Sequence, residues 1–380
     1  MQVERSVFRE DHEQFRATVR RFFERECVPR MPEWQRAGRV DRELWRKAGR
    51  EGLLCPMLAT DYGGGGGDFG HSAVIAEESA ALNLSGVSFG LHSDIVAPYI
   101  ERLGSEAQKR HWLPRCASGE TVLAIAMTEP GTGSDLKSIR TTARREGDEW
   151  VVNGAKTFIS NGLQCDLVVV VAKTDPTQQG SKAMSLVLVE ADRPGFRRGR
   201  KLEKVGQHAA DTAELFFDDV RVPADHLLGE PGKGMHALMQ ELPQERFLIA
   251  LGAAATLETC LQHTLDYVKE RRAFGHTVWD FQNTKFKLAD IKAQAVAVRT
   301  MIDYYLGVHL RRKLTLEEAA IAKLYATETL GSALDAMVQL HGGYGYMLEY
   351  PVARAFVDAR VNRIYGGTSE VQRELIARKL

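Results

Sequence analysis

The spacing of apolar residues divides the chain into three parts of different character. From residue 1 to about 119, apolar residues recur at the intervals of amphipathic helices. Between about 120 and 229, short β-rich runs alternate with turn clusters. From 230 to 380 the helical period returns in long segments. The sequence therefore predicts a mainly α fold with a central β domain: a helical domain over 1–119, a β domain over 120–229 and a helical bundle domain over 230–380.

The central part contains short runs with the composition of β-strands. They are Val122–Ala126, Trp150–Val152, Leu167–Ala172, Met184–Val189 and Glu214–Phe217. Turn clusters separate them, and no helix-length apolar repeat lies between them. Parallel sheets of βαβ units require such helices, so the pattern favours a compact antiparallel barrel or sandwich.

The C-terminal part contains the longest helical patterns. They cover Met235–Arg271, Trp279–Arg312, Leu316–Gly342 and Pro351–Asp358, with a final helix that begins at Ser369. Long amphipathic helices joined by short connections are typical of a helical bundle.

Composition and charge argue against several classes of protein. Lys and Arg together number 50, as do Asp and Glu, so no net charge draws the chain toward nucleic acid or an anionic membrane. The longest uncharged apolar stretch, Phe247–Leu257, is too short to span a bilayer. Five cysteines are scattered without paired spacing, which argues against a disulfide framework and a metal site. The sequence therefore predicts a cytoplasmic protein with reduced thiols, no metal, no nucleic-acid partner and no membrane insertion.

An acidic residue interrupts the apolar face of the first long C-terminal helix. The residues that share this face follow one another at spacings of four, three, four and three: Leu238, Leu242, Glu245, Ile249 and Gly252. A carboxylate in such a position is paired, has its pKa raised by desolvation, or serves in proton transfer. The alternative interpretation is an ordinary surface pair of Glu245 with Arg246.

Five motifs rich in glycine, hydroxyl and aromatic residues stand at the ends of predicted elements. They are Ala126–Asp135, Lys156–Gly162, Arg271–Gly275 followed by Gln282, Gln339–Tyr346, and Ile364–Glu370. The first motif leaves a strand and enters a glycine-rich loop. Unpaired N–H groups and hydroxyls in such a loop suit the polar edge of a ligand.

Together and in this order, the motifs resemble those of the acyl-CoA dehydrogenase family of flavoproteins, over essentially the whole chain. The segment Leu242–Arg246, with Tyr365–Thr368 near the C-terminus, is most similar to the long-chain branch. The resemblance implies a helical N-terminal domain, a β-barrel middle domain and a C-terminal four-helix bundle. It also implies FAD bound between the β domain and the bundle, a homotetramer built as a dimer of dimers, and an electron-transferring flavoprotein as the electron acceptor.

The resemblance also implies which residues contact FAD. Those at the flavin ring are Ile125, Met127, Thr128, Gly133, Ser134, Phe158, Ile159 and Ser160. Those at the pyrophosphate and adenosine side, which a neighbouring subunit supplies, are Arg271, Phe274, Gln282, Gln339, Gly342 and Gly343. Thr368 and Glu370 contact FAD again at the start of the last helix, whose N-terminal N–H groups favour phosphate. Many relatives carry Trp at the position of Phe158, so an aromatic contact is kept here while an indole N–H donor is lost.

One departure from the family pattern decides the catalytic residue. Most members carry a catalytic glutamate two residues before the Thr of the fifth motif, where this chain has Gly366. A minority branch, which includes the long-chain and isovaleryl enzymes, places the base on the bundle helix immediately before an arginine, as Glu245 and Arg246 stand here. The resemblance therefore implies that Glu245 removes the α-proton of an acyl-CoA thioester while a hydride leaves to flavin N5, giving a trans-2-enoyl-CoA. The implied substrate contacts are Ser134, Arg246, Tyr365, Gly366 and Gly367.

Two other functions remain open from the sequence. A flavin oxidase or monooxygenase on the same fold would react productively with oxygen, although those branches generally do not need a glutamate placed like Glu245. A non-catalytic, nucleic-acid-associated flavoprotein would show a basic surface or an added domain, whereas this chain is neutral.

Overall fold

The computed structural model describes residues 5–380, and the chain is helical toward both ends. The N-terminal helices are α1 (Glu10–Phe22), α2 (Met31–Ala37), α3 (Arg42–Arg50), α4 (Phe69–Ala81), α5 (Ala97–Leu103) and α6 (Glu106–Ala117). A π-helical segment, Leu91–Val96, leads directly into α5. The apolar faces of α1 to α4 enclose a core that contains Trp34, Trp45 and Phe89.

The middle of the chain forms a β sheet. Its strands are β1 (Leu123–Ala126), β2 (Thr142–Glu146), β3 (Glu149–Ser160), β4 (Leu167–Lys173), β5 (Met184–Glu190), β6 (Phe196–Lys201), β7 (Thr212–Pro223) and β8 (Leu227–Leu228). They pair in the order β6-β7-β3-β2-β4-β5-β8, and β1 pairs with β4. The apolar runs of β4 and β5 are buried along nearly their whole length, because the sheet is covered there on both faces.

The structure corrects the predicted β domain in two respects. β1 and β2 each pair in parallel with β4, so the expectation of a wholly antiparallel arrangement was wrong. The crossover from β1 to β4 is made by the β2–β3 hairpin rather than by a helix. β2 and β6 were not predicted because Thr142–Glu146 and Phe196–Lys201 are mostly charged or polar, and backbone pairing with β3 and β7 holds them in the sheet.

The C-terminal part is a bundle of long helices. They are α7 (Gly234–Glu270), α8 (Gln282–Arg311), α9 (Leu316–His341), α10 (Pro351–Ala359) and α11 (Ser369–Ala377), and a hairpin of β9 (Arg272–Ala273) and β10 (His276–Thr277) joins α7 to α8. Each helix predicted here is present, and the predicted class, mainly α with a central β domain, is confirmed. Within residues 5–380, none of the helices combines the length and the apolar character needed to cross a membrane.

Helix α7 connects two cores of the molecule. Its first turns, with Ala237 and Leu238, pack in a cluster that α5, α6 and the inner strands complete. From Phe247 onward, α7 belongs to the bundle core together with α8, α9 and Phe69 of α4. The stretch between Leu238 and Phe247 therefore lies where the two cores meet, and this stretch contains Glu245.

Candidate active site

Glu245 carries a carboxyl group that is turned toward the protein interior. Its Oε2 atom is fully buried and has no hydrogen-bond partner within residues 5–380. Burial raises the pKa of Glu245, and the positive charges of Arg246 and Lys323 oppose this only in part. A carboxylate that holds a proton more tightly than a surface glutamate is suited to act as a general base.

The adjacent Arg246 contacts the loop at Gly366 and makes no ion pair with Glu245 within residues 5–380. Its Nε atom donates a hydrogen bond to the carbonyl oxygen of Gly366 at 3.0 Å. Its Nη1 atom is buried without a partner in the described part of the chain. The interpretation of Glu245 and Arg246 as an ordinary surface pair is therefore wrong, because both side chains are buried at their polar ends.

Donors from three helices hold the loop at Gly366 and Gly367. Arg246 of α7 binds the first carbonyl, as described above. Lys323 of α9 donates to the carbonyl oxygen of Gly367 at 2.6 Å, and Gln372 of α11 donates to the same oxygen at 2.8 Å. The two glycines have φ of +63° and +92°, a backbone region that glycine adopts without steric cost. The Gly-Gly pair thus allows the chain to fold back against α7.

This loop places Gly366 against the predicted base. A Cβ atom built on Gly366 would lie 3.5 Å from Oε1 of Glu245 and 2.8 Å from Cδ1 of Ile249. The N–H of Gly366 donates to no protein acceptor within residues 5–380. The structure therefore brings together a buried carboxyl group and a main-chain donor that are far apart in the sequence.

The glycine-rich loop after β1 is braced from beneath by a buried lysine. Lys156 of β3 donates to the carbonyl oxygen of Met127 at 3.0 Å and to Oε1 of Glu129 at 2.9 Å. The Glu129 carboxylate also accepts from two backbone N–H groups, at positions 140 and 141. Of the flavin contacts predicted in this loop, Ile125, Met127 and Thr128 are partly buried and Gly133 and Ser134 are exposed. The loop is thus rigid on its inner side and open on its outer side.

Phe158 is an exposed aromatic residue in an unusual backbone conformation. Its side chain is 67% exposed and its φ is +59°. Such a conformation is costly for a residue with a bulky side chain and clusters at functional sites. The following Ile159 is buried and Ser160 is partly buried. An aromatic face held outward beside an open polar loop fits the planar ring system of a flavin.

A second group of predicted contacts lines a cavity of about 410 Å³ at the far end of α7. Its lining includes Arg271, Gln339, Gly342 and Gly343. The guanidinium carbon of Arg271 lies 5.5 Å from the ring centroid of Tyr344, and Cβ atoms built on the two glycines would meet nothing within 4 Å. Phe274 and Gln282 are exposed and lie outside this lining. A forked cation beside open glycine backbone fits a pyrophosphate.

The remaining predicted contacts lie on either side of the Gly366–Gly367 loop. The Tyr365 hydroxyl donates to Asn362 at 2.6 Å, and its side chain is partly exposed. Thr368 accepts a hydrogen bond from the N–H of Val371 at 3.3 Å and so caps α11, while Glu370 is exposed in the first turn. These residues are therefore grouped with Glu245 rather than with the cavity at Arg271.

Within one copy, the structure separates the predicted FAD contacts into two groups. Ile125 and Met127 pack against the same cluster as Leu238, near the beginning of α7. The cavity at Arg271 lies past the end of α7, and a helix rises about 1.5 Å per residue, so Glu270 lies roughly 37 Å from Glu245. The two groups of predicted contacts therefore lie far apart within one copy.

Two buried polar residues near Glu245 were not predicted. Tyr99 of α5 is fully buried, its hydroxyl has no partner within the described residues, and burial followed by the charge of Glu245 raises its pKa. Lys323 lies on the buried face of α9, among alanines. A lysine on an apolar face is the same signal that identified Glu245, so the sequence could have revealed Lys323. Nothing in the sequence distinguishes Tyr99 from a tyrosine of an ordinary core.

A cluster of potential metal ligands, Asp11, His12 and His71, lies near the N-terminus. Nδ1 of His12 accepts from the N–H of Arg9 at 3.2 Å, and Nε2 lies 2.8 Å from a carboxylate oxygen of Asp68. Both ring nitrogens of His12 are thus engaged at the start of α1, and we assign no metal to this cluster.

Comparison with known protein sequences agrees with this arrangement. Sequence models of the N-terminal, middle and C-terminal domains of acyl-CoA dehydrogenases match residues 9–120, 124–220 and 232–380. The mitochondrial long-chain specific acyl-CoA dehydrogenase of Sus scrofa is 50% identical over 377 residues, which cover 99% of this chain and 88% of that protein. The resemblance found in the sequence is therefore confirmed.

Solved structures agree as well. The acyl-CoA dehydrogenase of Geobacillus kaustophilus superposes with a TM-score of 0.97 at 48% identity, covering 99% of both chains. A glutaryl-CoA dehydrogenase from Mycobacterium smegmatis in complex with FADH2 superposes with a TM-score of 0.91 at 29% identity, covering 98% of this chain and 95% of that one. The chain therefore belongs to the acyl-CoA dehydrogenase family of FAD-dependent oxidoreductases.

Proposed function

We propose that this protein converts an acyl-CoA thioester to the trans-2-enoyl-CoA, with Glu245 as the base that removes the α-proton. The observation that carries this proposal is the buried, unpartnered Oε2 atom of Glu245 beside the loop at Gly366. A buried carboxyl group without a structural partner destabilises the fold. Its presence where a main-chain donor also converges supports a chemical role.

The residues around Glu245 meet the two requirements of this reaction. The α C–H of a thioester is only weakly acidic, so its removal needs a base in contact and a donor for the developing enolate oxygen. Burial raises the pKa of Glu245 and so makes its carboxylate a stronger base. The N–H of Gly366 is suited to hold the thioester oxygen, and a main-chain donor works whatever side chain stands at that position.

Bound FAD would supply the hydride acceptor for the β-carbon. The residues proposed to hold its ring are Ile125, Met127, Thr128, Gly133, Ser134, Phe158, Ile159 and Ser160. Thr368 and Glu370 are proposed to contact FAD again at the start of α11. The fit rests on the exposed face of Phe158 and on the open outer side of the loop after β1. The proposed substrate contacts are Ser134, Arg246, Tyr365, Gly366 and Gly367. Arg246 acts there through the loop, because its Nε already binds the Gly366 carbonyl.

We infer that a neighbouring copy holds the pyrophosphate and adenosine, within a homotetramer. The proposed contacts are Arg271, Phe274, Gln282, Gln339, Gly342 and Gly343. The separation of roughly 37 Å along α7 supports this inference, because the two groups of contacts lie far apart within one copy. The side chain of Phe274 is 93% exposed, as expected of a residue that a ligand or another subunit covers.

Arg271→Ala is expected to lower FAD occupancy and to weaken the oligomer on dilution. The change removes a charge-assisted contact to pyrophosphate across a subunit interface, and ligand binding is linked to assembly. Flavin absorbance and light scattering over a dilution series measure the two effects, and excess FAD should partly restore assembly. Arg272→Ala is the matched control, because Arg272 donates to the carbonyl of Gly275 in its own hairpin at 3.2 Å. If the Arg271→Ala protein keeps its full flavin content and an unchanged mass on dilution, the inference that Arg271 completes the FAD site of a neighbouring copy is wrong.

The substrate and the acceptor can be tested together. We propose that reduced flavin passes its electrons to an electron-transferring flavoprotein. Mixing the enzyme anaerobically with acyl-CoA thioesters of graded chain length should bleach the flavin, and the rate should identify the preferred chain. Reoxidation should then require the electron-transferring flavoprotein. Fast productive reoxidation by oxygen alone would instead indicate an oxidase.

We propose that the chain has three domains and that it functions in the cytoplasm. We place the domain limits at 119/120, between α6 and β1, and at 229/230, between β8 and α7. The five cysteines are free and buried, which is consistent with a reducing compartment such as the cytoplasm.

A further inference from the structure

We propose that Lys323 is a positioning residue of this active site: its ammonium group holds the Gly366–Gly367 loop in place and keeps a positive charge where that loop meets Glu245. The inference rests on the proposed role of Glu245 as the base. It concerns a residue on a different helix, α9, that the reaction scheme above does not use.

The contacts of Lys323 join α9 to the loop. The residue is 1% exposed, and its Nζ atom donates to the carbonyl oxygen of Gly367 at 2.6 Å. Its Cε atom lies 3.6 Å from the position of a Cβ atom on Gly366, which is itself 3.5 Å from Oε1 of Glu245. Lys323 is therefore packed against the loop on the side of Gly366 that also faces Glu245.

A role in holding the loop does not by itself explain a lysine at this position. Gln372 already donates to the same carbonyl oxygen of Gly367 at 2.8 Å, and Arg246 donates to the carbonyl of Gly366 at 3.0 Å. A buried ammonium group carries a large desolvation cost that a neutral donor avoids. Within residues 5–380 no carboxylate lies within 4 Å of Nζ to offset that cost through an ion pair. What the lysine adds to the neutral donor is its charge.

The charge of Lys323 acts on Glu245, which other charged and titratable groups also face. The groups that face Glu245 are Arg246 on α7, Tyr99 on α5, Lys323 on α9 and Tyr365 in the loop, with Glu328 beyond Lys323 on α9. The π-helical segment Leu91–Val96 adds Asp94, which is buried and whose backbone carbonyl accepts from Gln244 at 2.6 Å. Burial raises the pKa of Glu245, and Arg246 and Lys323 lower it. Burial, followed by the charge of Arg246, also lowers the pKa of Lys323 to about 8. Below that pH the lysine is charged and favours the carboxylate form of the base.

Loss of the Lys323 charge is expected to shift the pH dependence of the rate in one direction. A positive charge stabilises the carboxylate and therefore lowers the pKa of Glu245. Removing the charge of Lys323 raises that pKa further, so more of the base is protonated at acidic pH. The acidic limb of the rate profile then moves to higher pH.

The test uses the FAD-loaded enzyme and the variants Lys323→Met and Lys323→Arg. The anaerobic flavin-bleaching rate and kcat/KM are measured from acidic pH to about pH 8. Lys323→Met should shift the acidic limb upward by about one pH unit, a loss of about tenfold on that limb, with a smaller loss at its plateau. Lys323→Arg keeps the charge and should leave the limb near its original position.

Thr327→Val is the matched packing control. Thr327 is buried one turn further along α9 and donates to the carbonyl oxygen of Lys323 at 2.8 Å. Its replacement should lower the melting temperature without moving the limb. An unmoved limb in folded, FAD-loaded Lys323→Met would overturn the inference. If that variant does not fold, Lys323→Gln replaces it, because Gln keeps a donor for Gly367 while removing the charge. A shifted acidic limb in Lys323→Gln would then support the inference, and an unmoved limb would overturn it.

Glu245→Gln separates this inference from the proposed function. If that variant retains near-normal turnover, the base is another group and the proposed function fails. If Glu245→Gln is inactive while the limb of Lys323→Met is unmoved, only the role of Lys323 fails.

Discussion

Glu245→Gln is expected to lower the turnover of the FAD-loaded enzyme by about 10²- to 10⁴-fold, the range for loss of a general base. Glutamine keeps the size and shape of the side chain but cannot accept a proton. Because Oε2 has no structural partner within the described residues, the fold and the flavin content should change little. The measurement is the rate of anaerobic flavin bleaching by acyl-CoA, with flavin content read from the visible spectrum.

Glu258→Gln is the control for this variant. Glu258 lies further along the same helix and accepts hydrogen bonds from the buried Arg299 at 2.6 to 3.1 Å. Its replacement weakens a partly buried ion pair, so we expect a lower melting temperature and a bleaching rate near that of the wild type. Near-normal turnover in Glu245→Gln would remove Glu245 from the role of base.

The bundle and the burial of Glu245 within it could be predicted because their signals are local. Apolar residues in α7, α8 and α9 repeat at helical spacing over many turns, and Glu245 interrupts that pattern on α7. The same reasoning would have identified Lys323, which lies among alanines on the buried face of α9. What a charged residue on such a face does, however, depends on neighbours from other elements.

Features that depend on distant contacts could not be predicted from spacing. β2 and β6 are held by backbone bonds to β3 and β7, and backbone bonds leave no trace in the side-chain pattern. The parallel pairing of β1 with β4 results from the intervening β2–β3 hairpin, which has no sequence signature of a crossover. The missing partner of the Tyr99 hydroxyl is likewise visible only in three dimensions.

Because Gly366 approaches Glu245, a glutamate at position 366 is expected to replace part of its function. In a Glu245→Gly background, Gly366→Glu should raise turnover by at least about tenfold over the single variant. A side chain at Gly366 begins 3.5 Å from the position of Oε1, so its carboxyl group is expected to enter the space that the Glu245 carboxyl group leaves. Two features limit the recovery. The φ of +63° costs a non-glycine residue roughly 1–2 kcal/mol, and the new Cβ lies 2.8 Å from Cδ1 of Ile249. Adding Ile249→Val removes that atom and should increase the recovery.

Gly367→Glu in the same Glu245→Gly background separates position from mere charge. It adds a carboxylate one residue further along, also at a positive φ, of +92°, but its Cβ would lie 2.9 Å from Nε2 of Gln372 and 3.5 Å from Nη2 of Arg246. That carboxylate would face the donors behind the loop instead of the substrate, so no recovery is expected. The flavin-bleaching rate and the flavin content are measured for Glu245→Gly and for the two double variants that add Gly366→Glu or Gly367→Glu. If the Gly366→Glu protein binds FAD and acyl-CoA yet is no faster than Glu245→Gly, or if Gly367→Glu recovers equally, the two positions do not share one target. Recovery by Gly366→Glu alone would mean that the site requires a carboxylate at one point in space and that either α7 or the loop can supply it.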